Sequence, residues 1–395
     1  MQNKMTNLPQ GWEVKKLGEI GEIVTGSTPS KSNLDFYGKD YPFFKPSDFE
    51  QGYFLENAGD NLSKLGFDKA RQLPPKTILV VCIGSLGKVA LTRVIGSCNQ
   101  QINAIIPHKN IISEYIYYYC ISSKFQSILF SKAPQTTLAI FNKTEFSKLE
   151  IIYPKDIKEQ ERIVGILDES FAKIDESIKI LEQDLLNLDE LMQSALQKAF
   201  NPLKDNAKEN YKLPQSWEWK SLEEISENIS AGGDKPKNCT ESKTTKNQIP
   251  VYANGVNNNG LVGYTDKATI IKPSLTISAR GTIGFVCIRK EPYFPIVRLI
   301  SLIPCENILC LHYLYFCLNF FIAKGEGSSI PQLTIPKFKS LQIPLPPLKE
   351  QEQIAEHLDF VFEKAKALKE LYTKELKDYE ELKQSLLNKA FKGEL

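Results

Sequence analysis

Apolar side chains recur alternately three and four residues apart throughout residues 158–200. This spacing is typical of the a and d positions of a coiled coil, and it persists here for five heptads. The pattern predicts a helix about 65 Å long, at about 1.5 Å per residue. The predicted buried positions are Val164, Leu167, Phe171, Ile174, Ile178, Leu181, Leu185, Leu188, Met192, Ala195 and Ala199.

The same segment occurs a second time at residues 349–391, aligned without a gap at a constant offset of 191 residues. The copies share 18 of 43 positions; both begin Lys-Glu-Gln-Glu-x-Ile and end Lys-Ala-Phe. The second copy places Lys369 and Lys383 on the apolar seam, so we expect the neighbouring Leu368 and Leu382 to carry the packing there. An oligomerisation coil is the simpler alternative, but a duplication within one chain favours the two helices as each other's partners.

Both helices have recognisable ends. Asp156 can cap the first helix, with Glu159 three residues on, and Pro202 is expected to stop it. Pro347 opens the second helix, and Gly393 follows its end. The intervening segment of about 148 residues leaves the far end of the first helix and must reach the start of the second. We therefore expect the two helices to pack antiparallel.

The repeat extends beyond the helices. Leu-Pro-x-x-Trp opens both halves, at Leu8 and Leu213, and a Gly-x-x-Gly turn between two β-rich runs begins at Gly84 and again at Gly281. Strands, turns and short aromatic helices predict an α+β fold. The chain is thus expected to form two tandem globular α+β domains separated by two long helices that pack as an antiparallel coiled coil, a pseudo-two-fold internal repeat. The expected boundaries are a first globule at 1–157, helix one at 158–200, a linker at 201–212, a second globule at 213–348 and helix two at 349–395.

Composition is that of an ordinary globular protein, with 42% hydrophobic and 24% charged residues. No segment reaches 18 consecutive apolar residues, so we expect a cytoplasmic location and no membrane contact. The eight cysteines include no C-x-x-C pair, which favours reduced thiols over disulfides or zinc. The formal charge of +2 divides unevenly: the helical segments carry 14 Lys/Arg against 21 Asp/Glu, and the remainder carries 35 against 26. Basic globules suggest an anionic partner.

Catalytic motifs are weak. Gly84-x-x-Gly87-Lys88 resembles a phosphate loop, but Cys82 and Val89 stand where that loop needs Gly and Ser or Thr, so a tight turn between strands is expected. Glu13-x-Lys15 and Glu218-x-Lys220 match only half of a nuclease metal site. We expect neither catalytic nor metal-binding residues in this chain.

Polar side chains that suit DNA collect in the loops that differ between the halves. Arg and Lys match guanine, Asn and Gln match adenine, and Lys and Arg also contact phosphates. The candidate DNA-binding residues are Thr25, Ser27, Lys31, Lys45, Ser47, Lys88, Asn99, Gln100, Gln101 and Asn103 in the first half, and Lys235, Lys237, Asn238, Asn254, Asn257, Asn258, Asn259, Arg280 and Arg298 in the second.

Together these features resemble the specificity (S) subunit of type I restriction-modification enzymes. The resemblance covers essentially the whole chain and rests on the duplication, the Leu-Pro-x-x-Trp openings, Thr25-Gly-Ser-Thr-Pro29, Asn99-Gln-Gln101 and the P-x-x-x-K-E-Q-E-x-I start of each helix. One departure is that Phe294-Pro-Ile-Val-Arg298 stands where the first half has Asn99-Gln-Gln-Ile-Asn103.

The resemblance implies a non-catalytic DNA-binding subunit. Each globule would be a target recognition domain that reads one half of a bipartite, asymmetric site in double-stranded DNA. The helices would set the spacer and dock two methyltransferase (modification) subunits, and restriction subunits could join. S-adenosylmethionine, and ATP and Mg for restriction, are expected in those partners. Residues assigned to the coil and to docking are Glu159, Gln160, Ile163, Leu167, Phe171, Glu350, Gln351, Ile354, Leu358 and Phe362.

Two alternatives stay open. The chain could be a coiled-coil scaffold whose globules bind proteins or glycans, in which case binding would be indifferent to salt. It could also be a nuclease that uses the two E-x-K segments.

Overall fold

The computed structural model describes residues 8–132, 140–204, 214–322, 325–326 and 332–395. The chain forms two compact units: unit 1 comprises Met1–Leu181 and Thr373–Leu395, and unit 2 comprises Glu182–Tyr372. Each unit therefore contains one globule and part of both long helices. Leu213 of the second Leu-Pro-x-x-Trp motif and most of the expected linker lie outside the described residues.

The described residues of the unit 1 globule form ten strands and five short α-helices. In chain order they are β1 (Trp12–Lys16), α1 (Leu17–Ile20), β2 (Gly21–Thr25), β3 (Tyr37–Phe44), β4 (Phe54–Leu55), β5 (Asp60–Leu62), α2 (Lys64–Lys69), β6 (Ile78–Val81), β7 (Val89–Thr92), β8 (Ser97–Cys98), β9 (Ile102–Pro107), α3 (Ser113–Ile121), α4 (Ser123–Lys132), α5 (Lys143–Ser147) and β10 (Glu150–Pro154), followed by the long helix α6 (Ile157–Lys204).

The strands described in this globule form three sheets. The largest has the order β2-β9-β6-β7-β4, with β9 and β6 at its centre, and β5-β3-β8 and the antiparallel pair β1-β10 complete the set. The central strand β6 is a continuous apolar run buried on both faces, since Ile78–Val81 is fully enclosed. One face packs on α3, whose tyrosines are buried, and the other on the smaller sheet.

The globule of unit 2 repeats this plan. Its elements are β11 (Glu218–Ser221), α7 (Leu222–Ile225), β12 (Ser226–Ala231), β13 (Ile249–Tyr252), β14 (Leu261–Thr265), β15 (Ser274–Ile277), β16 (Thr282–Ile283), β17 (Val286–Arg289), β18 (Phe294–Pro295), β19 (Ile300–Pro304), α8 (Leu311–Phe321), β20 (Gly325–Glu326), α9 (Ile335–Lys339) and β21 (Gln342–Leu345), and the long helix α10 (Leu348–Ala390) follows. Sheet orders are β12-β19-β15-β17, β14-β13-β18, β11-β21 and β16-β20.

The long helices begin as the sequence predicts, and one of them ends differently. Asp156 caps α6 by accepting a hydrogen bond from the backbone N–H of Lys158 at 3.0 Å. The helix then continues through Pro202 to Lys204, so the predicted stop at Pro202 is wrong. Gly393 ends α10 as expected: its φ is +73°, and the N–H of Glu394 donates to the carbonyl of Lys389 at 2.9 Å, which is a Schellman cap.

The two helices pack antiparallel, as predicted. In unit 1, Phe391 at the end of α10 packs edge-on against Tyr115 and Tyr119 of α3, with ring centroids 5.4 and 5.0 Å apart. In unit 2, Phe200 near the end of α6 packs against Tyr313 of α8 at 5.7 Å. The repeated Lys-Ala-Phe ending thus buries an aromatic ring at the globule where the other helix begins.

The predicted packing of the second helix is wrong at two positions. Leu368 is 38% exposed and Leu382 is 45% exposed, so they do not replace the seam lysines. Lys383 instead lies inside the helix pair, with its side chain only 17% exposed, and pairs with Asp175 of α6 at 2.6 Å. Lys369 pairs in the same way with Asp189 in unit 2. The seam tolerates both lysines because a carboxylate on the opposite helix compensates each charge.

One buried glutamine near the start of each long helix joins that helix to the globule that precedes it. Gln160 is fully buried; its Oε1 accepts from the N–H of Ile112 at 3.0 Å, and its Nε2 donates to the carbonyl of Pro154 at 2.9 Å. Gln351 is also fully buried and bonds the equivalent groups, accepting from Cys310 at 2.9 Å and donating to Ile308 and Pro346 at 2.9 and 2.8 Å. Each amide thus bonds the backbone N–H just before the aromatic helix and a backbone carbonyl at the end of the strand that precedes the long helix.

We predict that Gln351→Leu lowers the free energy of unfolding by about 2–5 kcal/mol, because one buried N–H and two carbonyls lose their partner at similar side-chain volume. Chemical denaturation of the purified chain measures this loss. Gln353→Leu is the matched control, since Gln353 is exposed on the same helix turn and its substitution should change stability by about 0.5 kcal/mol or less. Equal effects of the two substitutions would contradict the proposed role of the buried amide.

We predict that exchanging the charges of Asp175 and Lys383 is less harmful than either single change. The variants Asp175→Lys, Lys383→Asp and the double variant form a thermodynamic cycle, and a coupling energy of about 0.5–3 kcal/mol is expected for this partly buried pair. The surface pair Glu169 and Lys173, both more than 70% exposed, serves as the control. The coupling energy of this control pair should be about 0.3–0.5 kcal/mol, as is typical of exposed ion pairs four residues apart on a helix. Additive effects in the Asp175 cycle would show that the seam pair contributes nothing.

Candidate nucleic-acid interface

In the first globule, two loops that carry candidate residues are pressed together. The loop after β2 bonds to the loop before β9 through Gly26 N–H to the carbonyl of Ile102 at 3.0 Å, and through Ser27 N–H to the carbonyl of Cys98 at 3.0 Å. A Cβ on Gly26 would overlap the carbonyl oxygens of Cys98 and Asn99. Glycine is required here because the backbones approach too closely for any side chain.

The second globule contains the same arrangement. Gly232 donates its N–H to the carbonyl of Leu299 at 2.8 Å, and a Cβ there would lie 2.6 Å from the backbone nitrogen of Ile296. The parallel pairing of β18 with β13 also matches that of β8 with β3. These contacts make Ile296 the counterpart of Asn99 and Ile300 that of Asn103. The alignment of Phe294 with Asn99 is therefore wrong by two residues.

Several polar candidates of the first globule serve the interior. Asn99 and Asn103 are only 7% and 2% exposed. Asn103 accepts from Thr25 Oγ1 at 2.6 Å and donates to the carbonyl of Phe141 at 3.2 Å. The amides of Asn99 and Gln101 bond to each other at 2.8 Å. In this structure these groups hold the loop framework together and are not displayed at the surface.

Other candidates of the first globule lie nearer the surface but have internal partners. Lys45 pairs with Asp60, and burial followed by repulsion from Lys31 lowers the pKa of Lys45. Lys88 pairs with Glu50. Ser27 Oγ accepts from the backbone N–H of Arg71 at 3.2 Å. The exposed members are Lys31, Ser47 and Gln100, of which Gln100 accepts a hydrogen bond from Thr28.

Arg71 is a residue that the sequence analysis missed. It is exposed beside the Gly26 loop, and within the described part of the chain its guanidinium has neither an ion pair nor a hydrogen bond. It lies outside the repeated segments, so the contact with Ser27 is what reveals its place.

Candidates in the second globule divide in the same way. Asn254 is half-buried and bonded at both ends of its amide: its Nδ2 donates to the carbonyl of Val297 at 2.6 Å and its Oδ1 accepts from Ala279 N–H at 2.8 Å. Asn238 is exposed and contacts Asp266 and Thr265. Asn258 and Asn259 adopt positive φ values of 48° and 52° in an exposed turn. The remaining exposed candidates are Lys235, Lys237, Asn257, Arg280 and Arg298.

The glycine turns are structural, as predicted. Gly84 and Gly87 have φ values of +82° and +90°, and Gly281 and Gly284 repeat them at +72° and +81°. Each pair turns the chain between antiparallel strands, β6 to β7 and β15 to β17, with no helix to receive a phosphate.

The E-x-K segments also have local partners. Glu13 bonds Tyr153 and pairs with Lys15 and Lys155 at 3.5 and 3.3 Å, and these contacts lower its pKa, the tyrosine most. Glu218 pairs with Lys220 at 3.3 Å. The described residues contain no group of three or more His, Cys, Asp or Glu able to hold a metal, and no helix among them is long and apolar enough to cross a membrane.

All eight cysteines are free thiols, as the sequence indicated. Burial raises the pKa of Cys82 and of Cys98 to about 12, so neither thiol is a nucleophile at neutral pH.

Most residues assigned to the coil and to docking are internal. Ile163, Leu167 and Leu358 are at most 1% exposed and belong to the unit cores, and Gln160 and Gln351 are bonded to backbone as described above. Phe171, Ile354 and Phe362 are partly buried against those cores. Glu159 pairs with Arg162 at 2.7 Å, and Glu350 accepts from the indole of Trp217 at 3.0 Å. These contacts bind the start of each long helix to its own globule, and little of these side chains is left for a partner.

We predict that Gly26→Ala destabilises unit 1 by about 1–3 kcal/mol, because the new Cβ forces two bonded loops apart. Thermal denaturation measures the shift. Gly59→Ala is the control, since its Cβ would meet nothing closer than 3.5 Å, and we expect no comparable loss. A stable Gly26→Ala variant would show that the loops are not rigidly joined.

Comparison with known proteins agrees with this geometry. The family model described as type I restriction modification DNA specificity domain matches residues 9–185 and 214–377. The HindI specificity subunit of Haemophilus influenzae is 37% identical over 186 residues, which cover 45% of this chain and 40% of that protein. The MjaIX specificity subunit of Methanocaldococcus jannaschii is 24% identical over 395 residues, which cover 90% of this chain and 88% of that protein.

Solved structures show the same fold. A chain from a study of complex assembly and conformational transition of the type I R-M system superposes with a TM-score of 0.82 at 19% identity, covering 99% of this chain and all of that one. The HsdS subunit of Thermoanaerobacter tengcongensis gives 0.62 at 20% identity, with full coverage of both chains. Two copies of the specificity domain, each followed by a long helix, account for the internal repeat, and the chain belongs to the type I restriction-modification specificity (S) subunits, the non-catalytic components of these complexes.

Proposed function

We propose that each globule of this S subunit reads one half of a bipartite, asymmetric site in double-stranded DNA, and that α6 and α10 set the unread spacer and dock two modification subunits. S-adenosylmethionine, and ATP and Mg where restriction subunits join, belong to those partners. The relatives are specificity subunits and one similar fold comes from a study of complex assembly, which supports this assignment.

One observation carries the proposal. In both globules the same two loops close around a glycine, Gly26 or Gly232, and exposed cations without internal partners lie on or beside these loops. Of the six arginines, Arg71, Arg280 and Arg298 have no ion pair or hydrogen bond to their guanidinium from any described residue. By contrast, Arg93 and Arg162 pair with glutamates at 2.9 and 2.7 Å.

Unpaired guanidinium groups on rigid loops suit DNA because they can contact a phosphate or the major-groove edge of guanine without first breaking an internal contact. The charge division agrees, since the excess of basic residues lies outside the helices. Carboxylates predominate on the helices, which makes them poor DNA surfaces and better suited to protein partners.

Genome-wide mapping of methylated adenines tests the proposal. The chain is co-expressed with its methyltransferase partner, and a single new motif of two short specific parts around a fixed gap is the expected result. Exchange of residues 1–157 for those of another family member should alter one part only. No new methylation from an assembled complex, or binding that ignores salt, would favour the scaffold alternative.

We predict that Arg71→Ala weakens DNA binding and lowers the slope of log affinity against log salt by about one, as expected for one lost phosphate contact. Arg93→Ala is the matched control, because Arg93 is also exposed in this globule but is held by Glu56 and the ring of Phe54. Titration of labelled duplex at several salt concentrations gives both slopes. An unchanged slope in Arg71→Ala would place that residue outside the DNA contact.

A further inference from the structure

In the second globule, one amide side chain, that of Asn254, bonds the backbone next to both Arg280 and Arg298. Asn254 Oδ1 accepts from the N–H of Ala279, the residue before Arg280, and Asn254 Nδ2 donates to the carbonyl of Val297, the residue before Arg298. The same side chain therefore fixes the backbone at both positions. The N–H of Gly255 reinforces the junction by donating to Ser278 Oγ at 3.3 Å.

The backbone at Arg298 is strained. Val297 and Arg298 have φ values of 53° and 59°, a region that a β-branched residue such as valine rarely adopts. Hydrogen bonds from their N–H groups to the carbonyls of Gly233 and Gly232, at 2.8 and 2.9 Å, hold this conformation. Val297 remains 52% exposed, so the strain does not serve core packing. What it achieves is the display of Arg298 at the surface.

Strained backbone that its surroundings hold in place is typical of binding sites. The first globule has no such feature at the corresponding loop, since Gln100 and Gln101 have ordinary negative φ. Nearby acidic charge is slight: Asp234 lies in the adjoining loop and is exposed, and no described carboxylate pairs with either arginine. Both guanidinium groups are thus free to meet an external acceptor.

We propose that Arg280 and Arg298 are specificity-determining residues that read guanine in the half-site of the second globule, and that Asn254 is the positioning residue that sets their separation. The inference rests on the proposed function. Guanine is the base that fits, because its O6 and N7 accept two parallel hydrogen bonds from one guanidinium. Rigid placement matters here, since a bidentate contact fails when the arginine backbone shifts.

The test uses the full chain in complex with its methyltransferase partner and duplexes that carry the mapped motif. Exchange of residues 213–348 for those of another family member identifies the half-site concerned. Each guanine in that half-site is then replaced by 7-deazaguanine, which removes the N7 acceptor and leaves base pairing intact. We expect at least one replacement to weaken binding roughly 5- to 150-fold, the range of one bidentate contact.

The variants assign the contact to residues. Arg280→Ala or Arg298→Ala should bring the ratio of affinities for guanine and 7-deazaguanine close to one at its own base. Arg298→Lys keeps the charge but not the planar fork, so it should lose the ratio while retaining much of the affinity. Because both arginine side chains are exposed, we expect all three variants to fold like the unaltered chain.

Asn254→Leu removes both hydrogen bonds at similar side-chain volume and adds no charge, so it should lower the ratio of affinities for guanine and 7-deazaguanine without altering the salt slope. A purely structural role would lower both affinities equally and leave the ratio unchanged. Asn307→Ala is the control, since Asn307 is an exposed amide of the second globule outside the candidate loops and its loss should change nothing.

Three results would overturn the inference. They are a second half-site without guanine on either strand, insensitivity to every 7-deazaguanine replacement, and a full guanine ratio in both arginine-to-alanine variants. An unchanged ratio of affinities for guanine and 7-deazaguanine in Asn254→Leu would overturn the positioning role alone. These failures leave a bipartite motif in place and so differ from failure of the proposed function, in which no bipartite motif is found.

Discussion

The fold depends on a buried carboxamide that occurs twice. Gln160 and Gln351 each lie where a sheet, an aromatic helix and a long helix meet, and each bonds main-chain groups of both neighbours. Glutamine suits this position because one planar group supplies both an acceptor and two donors, all of which must be satisfied once buried. An apolar residue would leave backbone groups unpaired, and a glutamate would repel the carbonyls. The long helices are therefore fixed extensions of the globules.

The duplication predicts this framework well, because it repeats what both halves require. The helix seam, the Gly-x-x-Gly turns, the Asp156 cap and the final phenylalanines all act through local or periodic rules, which a single sequence displays. The glutamines illustrate the limit. Their repetition marked them as important, but a polar residue in a repeated motif is equally consistent with a surface for partners, and only the tertiary contacts show that they are buried.

Side chains in the loops could not be assigned from residue type alone. Asn99, Asn103 and Asn254 have the chemistry of adenine readers, yet the structure uses their amides to join backbone segments far apart in the sequence. Arg71 was missed for the complementary reason. Whether a polar group faces solvent or another loop depends on long-range pairing, which residue spacing does not encode. The surviving candidates are those whose charged ends have no partner within the fold.

The seam shows how a duplicated coil has become asymmetric. At the offset of 191, the positions of Lys369 and Lys383 correspond to Ile178 and Met192, so each seam lysine has an apolar counterpart on the first helix. A partly buried lysine is stable only opposite its aspartate, whereas isoleucine and methionine accept many neighbours. The pairs of Asp175 with Lys383 and Asp189 with Lys369 therefore favour pairing of α6 with α10 over pairing of α6 with a second α6, in which both aspartates would face apolar side chains. Charge on the seam thus selects the partner helix, while the apolar positions supply most of the stability.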